Sequence, residues 1–364
     1  VAGNWSDGVP TSDDVISVVP TSTSIHITIQ SGTSATFNEF AIGGDMTFRV
    51  TTTLLGDFDS GAGDIIINEN GILEQQHKVA QQIAGDLTIN NDGWFVHTKN
   101  SDQDVSHIEF SAANITVNTG GVIDAFGRGF GGAGRSDTGF GPSGGTVGTG
   151  GSYSRGGGGG HGGHGGDAFA AITSGVGGAS YCDINNPITL GSEGGGGGSF
   201  FGTSFYGGDG GGVIQLSATG TILINGEINA SGDHGFSVDN ETESGGGAGG
   251  SIYLSADTIA GTPMNAISVD GGWSGDGTAY EGRGGGGGGG CIYVNYMSLF
   301  QLDLDDFSAV GGRGAQYGGA GAIYIKEGAN DGDLYLINGG TNADSIPAVS
   351  TQFVDMTVDS VTVA

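Results

Sequence analysis

Gly212-Val213-Ile214-Gln215-Leu216 is a stretch that the chain writes four times. It returns as Gly250-Ser251-Ile252-Tyr253-Leu254, Gly290-Cys291-Ile292-Tyr293-Val294 and Gly321-Ala322-Ile323-Tyr324-Ile325. The copies stand 38, 40 and 31 residues apart, and each follows a cluster of glycines. Short apolar runs rich in β-branched and aromatic residues and bounded by glycine read as strands. A second stretch keeps nearly the same period: Ile228-Asn229-Ala230-Ser231-Gly232, Ile267-Ser268-Val269-Asp270-Gly271 and Phe307-Ser308-Ala309-Val310-Gly311, with Ile123-Asp124-Ala125-Phe126-Gly127 as an earlier member. Two independent strands that repeat together point to a β-solenoid, in which each coil adds one strand to each of several parallel sheets.

The same logic extends toward the N-terminus with shorter turns. Gly63-Asp64-Ile65-Ile66-Ile67-Asn68, Gly85-Asp86-Leu87-Thr88-Ile89-Asn90 and the looser Ala113-Asn114-Ile115-Thr116-Val117-Asn118 are each followed by a glycine-led strand, at Gly71, Gly93 and Gly121. Helical spacing recurs only faintly, over Ile72 to Ile83, the one segment of good helix formers. The expected class is all-β.

Glycine also divides the chain. Residues 1–119 hold 11 glycines and the remaining 245 residues hold 70. The expected organisation is therefore solenoid coils over 1–119, a glycine-rich solenoid with extended turns over 120–340, and a C-terminal strand segment over 341–364. The longest excursion, Phe126 to Gly212, has room for a further coil around Tyr181 to Leu190. Runs at 156–160, 194–198 and 284–290 suit polyglycine-II threads, which pack side by side because no Cβ holds them apart; the alternative is solvated loops. Ordering so much glycine demands nearly complete backbone hydrogen bonding.

Composition excludes several functions. Of 364 residues 81 are glycine, and 39 acidic residues face only 9 basic ones, for a net charge of −30. So few Lys and Arg cannot build the basic stripe that nucleic acids require, nor a polybasic membrane anchor. No apolar run reaches the ~20 residues of a membrane-spanning helix. Collagen is excluded because glycine lacks a strict three-residue period and there are only 6 prolines.

Residues able to carry chemistry are sparse. Arg128, His234, Trp273 and Arg313 occupy equivalent positions where the second strand runs into its glycine excursion, so a solenoid stacks them in a row. Such a row can grip sugar rings or carboxylates, or it can close the mouths of the excursions. Asp57, Asp59 and Asp64, and Asn100, Asp102 and Asp104, set oxygen ligands at alternating positions as calcium loops do, without the remaining EF-hand signature. They are the candidate structural Ca2+ ligands, against plain acidic turns. His161 and His164 flanked by glycine hint at a metal but supply two ligands only. Lys99 beside Asp102 and Asp104, or Arg128 near Asp124, are the pairings from which a polysaccharide lyase would be drawn. Gly141-Pro142-Ser143-Gly144-Gly145 matches a nucleophile-elbow pattern, but a glycine-rich chain produces such matches by chance. Cys182 and Cys291, the only cysteines, either pair or stand apart.

The opening Asn4-Trp5-Ser6-Asp7-Gly8-Val9-Pro10 and the glycine clusters followed by Ile-Tyr resemble secreted bacterial β-helix surface proteins of the adhesin-like and matrix type. That resemblance implies a secreted, right-handed parallel β-helix and brings no catalytic residue with it. The expected function is a non-enzymatic extracellular structural protein, the protomer of a self-assembling filament, sheath or matrix, whose partner is itself, head to tail. Phe353, Val354, Val358, Val361 and Val363 in the alternating C-terminal run are the candidate donor strand. A glycan-binding adhesin using Trp273, Tyr280 and Tyr317 is the alternative, and a lyase or hydrolase comes third.

Overall fold

A computed structural model describes residues 11–19, 25–30, 34–44, 49–134, 137–148, 154–169, 174–200, 203–236, 243–263, 267–275, 284–338 and 358–363. Among these residues there is no α-helix; a 3-10 turn at Leu304–Asp306 interrupts an all-β chain. Strands alternate between two large sheets as the chain advances. The second sheet takes Ile25–Ile29, Val50–Leu54, Gly71–Gln75, Trp94–His97, Val122–Asp124, Glu227–Asn229, Ile267–Ser268 and Phe307–Ser308, all parallel. The first sheet takes the strands between them, from Val15–Val18 through Asp64–Ile67, Leu87–Ile89, Ile115–Val117 and Thr221–Ile224 to Ser251–Gly261 and Cys291–Gln301.

The repeated stretches lie in register. Ile65, Leu87, Ile115 and Ile222 are consecutive partners across the first sheet. Val213, Ser251, Cys291 and Ala322 do the same, as do Ile123, Ile228, Ile267 and Phe307 in the second sheet. Parallel pairing between equivalent positions is what a repeated apolar pattern with one buried face specifies, since a one-residue slip would turn every inward side chain outward. Composition changes near residue 120, yet the sheets run through that point: Ile115–Val117 pairs with Thr221–Ile224, and Val122–Asp124 with Glu227–Asn229.

Between the sheets the inward residues form one core extending from Phe37 to Ile323. Isoleucine is its commonest residue, and Phe37, Phe58, Phe110 and Phe95 make a chain of edge-on rings with centroids 5.5–6.3 Å apart. Each fully buried Ile or Phe contributes roughly 1.5–3 kcal/mol relative to exposure. The turns repeat as well. Asn70, Asp92 and Gly120 occupy equivalent places, each with positive φ (60°, 57° and 79°), and their backbones hydrogen-bond in series. Asn, Asp and Gly are the residues that tolerate this left-handed conformation. Within the same turns Asn118 donates to Asn90 and Asn90 to Asn68, both at 2.8 Å. The faintly helical segment is not helical: it forms Gly71–Gln75, a turn, and Gln81–Gln82, because pairing to neighbouring strands overrides local propensity.

The glycine runs form a layer of their own. Gly156 and Gly159 donate to Glu243 and Gly246, Gly157 and Gly160 to Thr146 and Ser143, and Gly158 to Gly166. A given neighbour is therefore met again three residues later. The run at 245–250 repeats this rule: Gly246 and Gly249 donate to Gly285 and Gly288, and Gly247 and Gly250 to Asp233 and Ala230. Buried glycine backbones approach so closely that a Cβ on Gly245 would lie 1.9 Å from the Gly157 carbonyl oxygen, and one on Gly287 would lie 2.0 Å from that of Gly247. At these positions the layer has no room for a side chain. No strand forms at Tyr181 to Leu190, so the further coil expected there is absent.

Candidate functional site

The structure gathers most of the predicted row. The His234 and Trp273 rings stack at 5.1 Å with a 25° interplanar angle, and the Arg313 guanidinium lies 4.9 Å from the Trp273 ring. The backbone sets this arrangement: Gly235 donates to the Trp273 carbonyl and Ser274 to that of Arg313, both at 2.8 Å. The backbone N–H of Trp273 donates to His234 Nδ1 at 2.9 Å, so Nδ1 serves as an acceptor. Trp273 is flanked by the preceding and following segments, so its own neighbours cover its faces, and the row offers edges rather than an open stacking platform. Arg128 stands apart from this stack. Its guanidinium donates to the His97 carbonyl at 2.8 Å, and its Nε lies 3.6 Å from Asp124. Tyr317 is half-buried, and Tyr280 lies outside the described residues.

The acidic residues singled out as calcium ligands are spread among protein donors. Asp57 accepts from Gln81 at 3.0 Å, Asp59 from the Gly61 N–H at 2.9 Å, and Asp64 from the Asp86 N–H at 2.8 Å. Asn100 is buried and knots its loop: its Oδ1 accepts from Val105 and Ser106, while its Nδ2 donates to the carbonyls of Ser106 and Arg128. Asp102 accepts from Ser101, and Asp104 pairs with Lys78 at 3.3 Å and His107 at 2.5 Å. Among the described residues no three His, Cys, Asp or Glu side chains converge as metal ligands. His161 is buried with Nε2 2.8 Å from the Thr189 hydroxyl, and burial lowers its pKa to about 4.

The cysteines do pair. Cys182, within the long excursion, is bonded to Cys291 at the start of Cys291–Gln301, with Cα atoms 6.7 Å apart. The segment carrying Cys182 lies over the outward face of the first sheet. There Tyr253 and Tyr293 stack at 4.8 Å and 8°, and Tyr324 follows at 5.8 Å. Ile184 and Leu334 are buried with them, and burial pushes the Tyr293 phenol up to about 12. The Ile-Tyr repeat carried the signal for this outward ladder, because alternate residues of a strand face opposite sides.

Sequence reasoning also missed Glu193 and Asp209. Each is a lone carboxylate in a glycine run, and both are desolvated there. Glu193 is fully buried and accepts from the Ala133 and Phe140 N–H groups at 3.0 Å; burial raises its pKa to about 7. Burial also raises Asp209, although Lys99 makes direct contact with its Oδ2. Lys99 therefore meets Asp209 rather than its sequence neighbours Asp102 and Asp104, so of the two lyase-like pairings only Arg128 with Asp124 is formed. A groove of about 450 Å³ on the first sheet is lined by Gln82, Ser111, Ser217, Ser255 and neighbouring alanines. Those side chains carry no acid or base suited to lyase chemistry at neutral pH.

Of the C-terminal candidates, Val358–Val363 forms a strand on Gly332–Leu336 of its own chain, with Val361 and Val363 exposed. Phe353 and Val354 lie outside the described residues. No helix among the described residues is long and apolar enough to cross a membrane. Comparison with known proteins finds no matching family, no matching curated protein and no matching solved structure.

Proposed function

We propose that this chain is a secreted, non-enzymatic structural protein: a right-handed parallel β-solenoid roofed by a polyglycine-II lattice and assembled head to tail into a filament, sheath or matrix. The carrying observation is the three-residue hydrogen-bond period of the buried glycine layer. Threads with three residues per turn bond to several neighbours at once, which fills space with backbone and leaves no room for a substrate. Several groups able to do chemistry are engaged by neighbours within the chain. Trp273 is sandwiched within its row, Arg128 pairs with Asp124, and the asparagines bond to one another from turn to turn. A disulfide holding the excursion to the sheet suits an oxidising, extracellular setting.

Electron microscopy of the purified protein, with and without calcium chelation, tests this reading. Regular filaments or sheets are expected, and their loss on chelation would place Ca2+ at the joint. Dispersed rods in both conditions would overturn self-assembly and favour a glycan-binding adhesin, whose contact surface a glycan array with Trp273→Ala would then map.

A further inference from the structure

We propose that Lys99 and Asp209 are joined by an intramolecular isopeptide bond whose formation is assisted by Glu193. Two of the three groups, Asp209 and Glu193, are brought together from distant parts of the chain by consecutive backbone N–H groups. Gly132 donates to Asp209 Oδ1 at 3.2 Å, and Ala133, the next residue, donates to both oxygens of Glu193 at 3.0–3.1 Å. The two carboxyl groups are therefore held by adjacent residues, close enough for the charge of Asp209 to bear on Glu193, and Lys99 Nζ is in contact with Asp209 Oδ2. The glycine loop fits closely around the acceptor: a Cβ on Gly131 would lie 1.9 Å from Asp209 Oδ1.

Each atom has a role in the condensation. Proton transfer within the Lys99–Asp209 ion pair gives the amine and the carboxylic acid; Nζ then attacks Cγ of Asp209, and the negative charge that develops on Oδ1 faces the Gly132 N–H. Oδ2 leaves as water, taking the proton it carried and one from the amine; assistance in that transfer is assigned to Glu193, whose carboxyl feels the charge of Asp209. The products are one amide and one water, and no oxidant, metal or activating nucleotide is needed. Burial holds Glu193 protonated to about pH 7 and makes the acid form of Asp209 more accessible, as both roles require. Condensation in water is opposed by the solvent itself, but well-oriented groups within one molecule reach effective molarities of ~10⁵–10⁸ M. The bond would span 110 residues and fasten the end of the long excursion to the core coil, complementing the disulfide at separation 109.

Intact-mass spectrometry of the folded full-length chain tests the proposal. The expected mass is one water below that of the disulfide-bonded sequence, and a digest should yield a branched peptide joining the Lys99 and Asp209 segments. Both signals should vanish in Lys99→Arg. Glu193→Gln should slow the loss of water after refolding by roughly 100-fold, within the range of general acid–base assistance. A folded wild-type chain of full sequence mass overturns the bond. So does a water loss that persists in Lys99→Arg, because Asp209 precedes Gly210 and a succinimide there has the same mass. An unchanged rate in Glu193→Gln overturns the role of Glu193.

Discussion

His97 is an imidazole that must stay neutral. It is fully buried, its Nδ1 proton goes to the Thr98 carbonyl at 2.8 Å, and its Nε2 accepts from the Val213 N–H at 3.3 Å, so protonation would break a bond as well as bury a charge. Burial lowers its pKa to about 3, while in the unfolded chain it titrates near 6.5. A depressed histidine pKa means that the unfolded state binds the extra proton first, so stability is complete above pH 6.5 and is lost as pH falls toward 3. The loss at pH 3 is about 4 kcal/mol from this residue, and His161, lowered to about 4, adds loss of the same sign. Glu193 acts in the opposite direction. Its raised pKa means that the folded state holds the proton between 4.5 and about 7, so acidification over that range stabilises. Denaturant unfolding at pH 8, 6 and 4 should therefore show His97→Gln to be less acid-sensitive than wild type, the difference widening as pH falls. Parallel profiles for the two proteins would show that His97 is not the neutral group. None of this was legible in the sequence, where His97 ends an ordinary strand, because its desolvation depends on Gly212 and Val213, over a hundred positions away.

At the scale of elements, the glycine threads and the strands differ in what their sequences disclose. Replacing Gly245 or Gly287 by Ala pushes a methyl group into the backbone oxygen of a neighbouring thread. The backbone cannot rotate away as a side chain would, so each change should cost at least ~1–3 kcal/mol of unfolding free energy, as overpacking does. Gly61→Ala, exposed and facing only the mobile end of Asp59, should stay within ~0.5 kcal/mol. Equal midpoints for all three variants in urea would disprove the lattice. The strands were readable because alternation of apolar residues records which face is buried. Aligning Ile65 with Leu87 and Ile115, or Ile228 with Ile267 and Phe307, therefore predicted partners that the structure pairs. A glycine run carries no such record. It shows that close approach is allowed, but not whether Gly159 meets Gly246 or solvent. The segment at 181–190 failed as a coil for a related reason: its Ile184 is buried against the outside of a sheet rather than between two sheets, and its Ile188 is exposed. The site residues divide in the same way. The row of His234, Trp273 and Arg313 followed from the coil period, whereas the meeting of Lys99, Asp209 and Glu193 depends on the path of the excursion.

For the whole molecule, the consequence of two long, largely parallel sheets is that they end in edges whose backbone groups are open to another strand. The described residues finish the first sheet with Ala322–Glu327, an antiparallel Gly332–Leu336, and then Val358–Val363 laid parallel upon it. That last strand exposes Val361 and Val363 and lies beyond the core, which runs from Phe37 to Ile323. An edge strand with apolar side chains exposed is a template for pairing unless charge or proline blocks it. Val358–Val363 carries one carboxylate and no proline. Its contacts with the rest of the chain are made through Gly332–Leu336 alone among the paired strands, so moving it to another copy would exchange one ladder for an equivalent one. Deleting residues 353–364 should accordingly abolish polymers seen by light scattering and electron microscopy. The melting temperature of the monomer should change little, since the deleted strand lies outside the principal core. Polymers of unchanged length in the truncated chain would rule out this strand as the joint. A collapse in melting temperature would instead show that the strand is part of the protomer's own fold, and the joint would then have to be sought at the opposite edge, where Val15–Val18 leaves Val15 exposed.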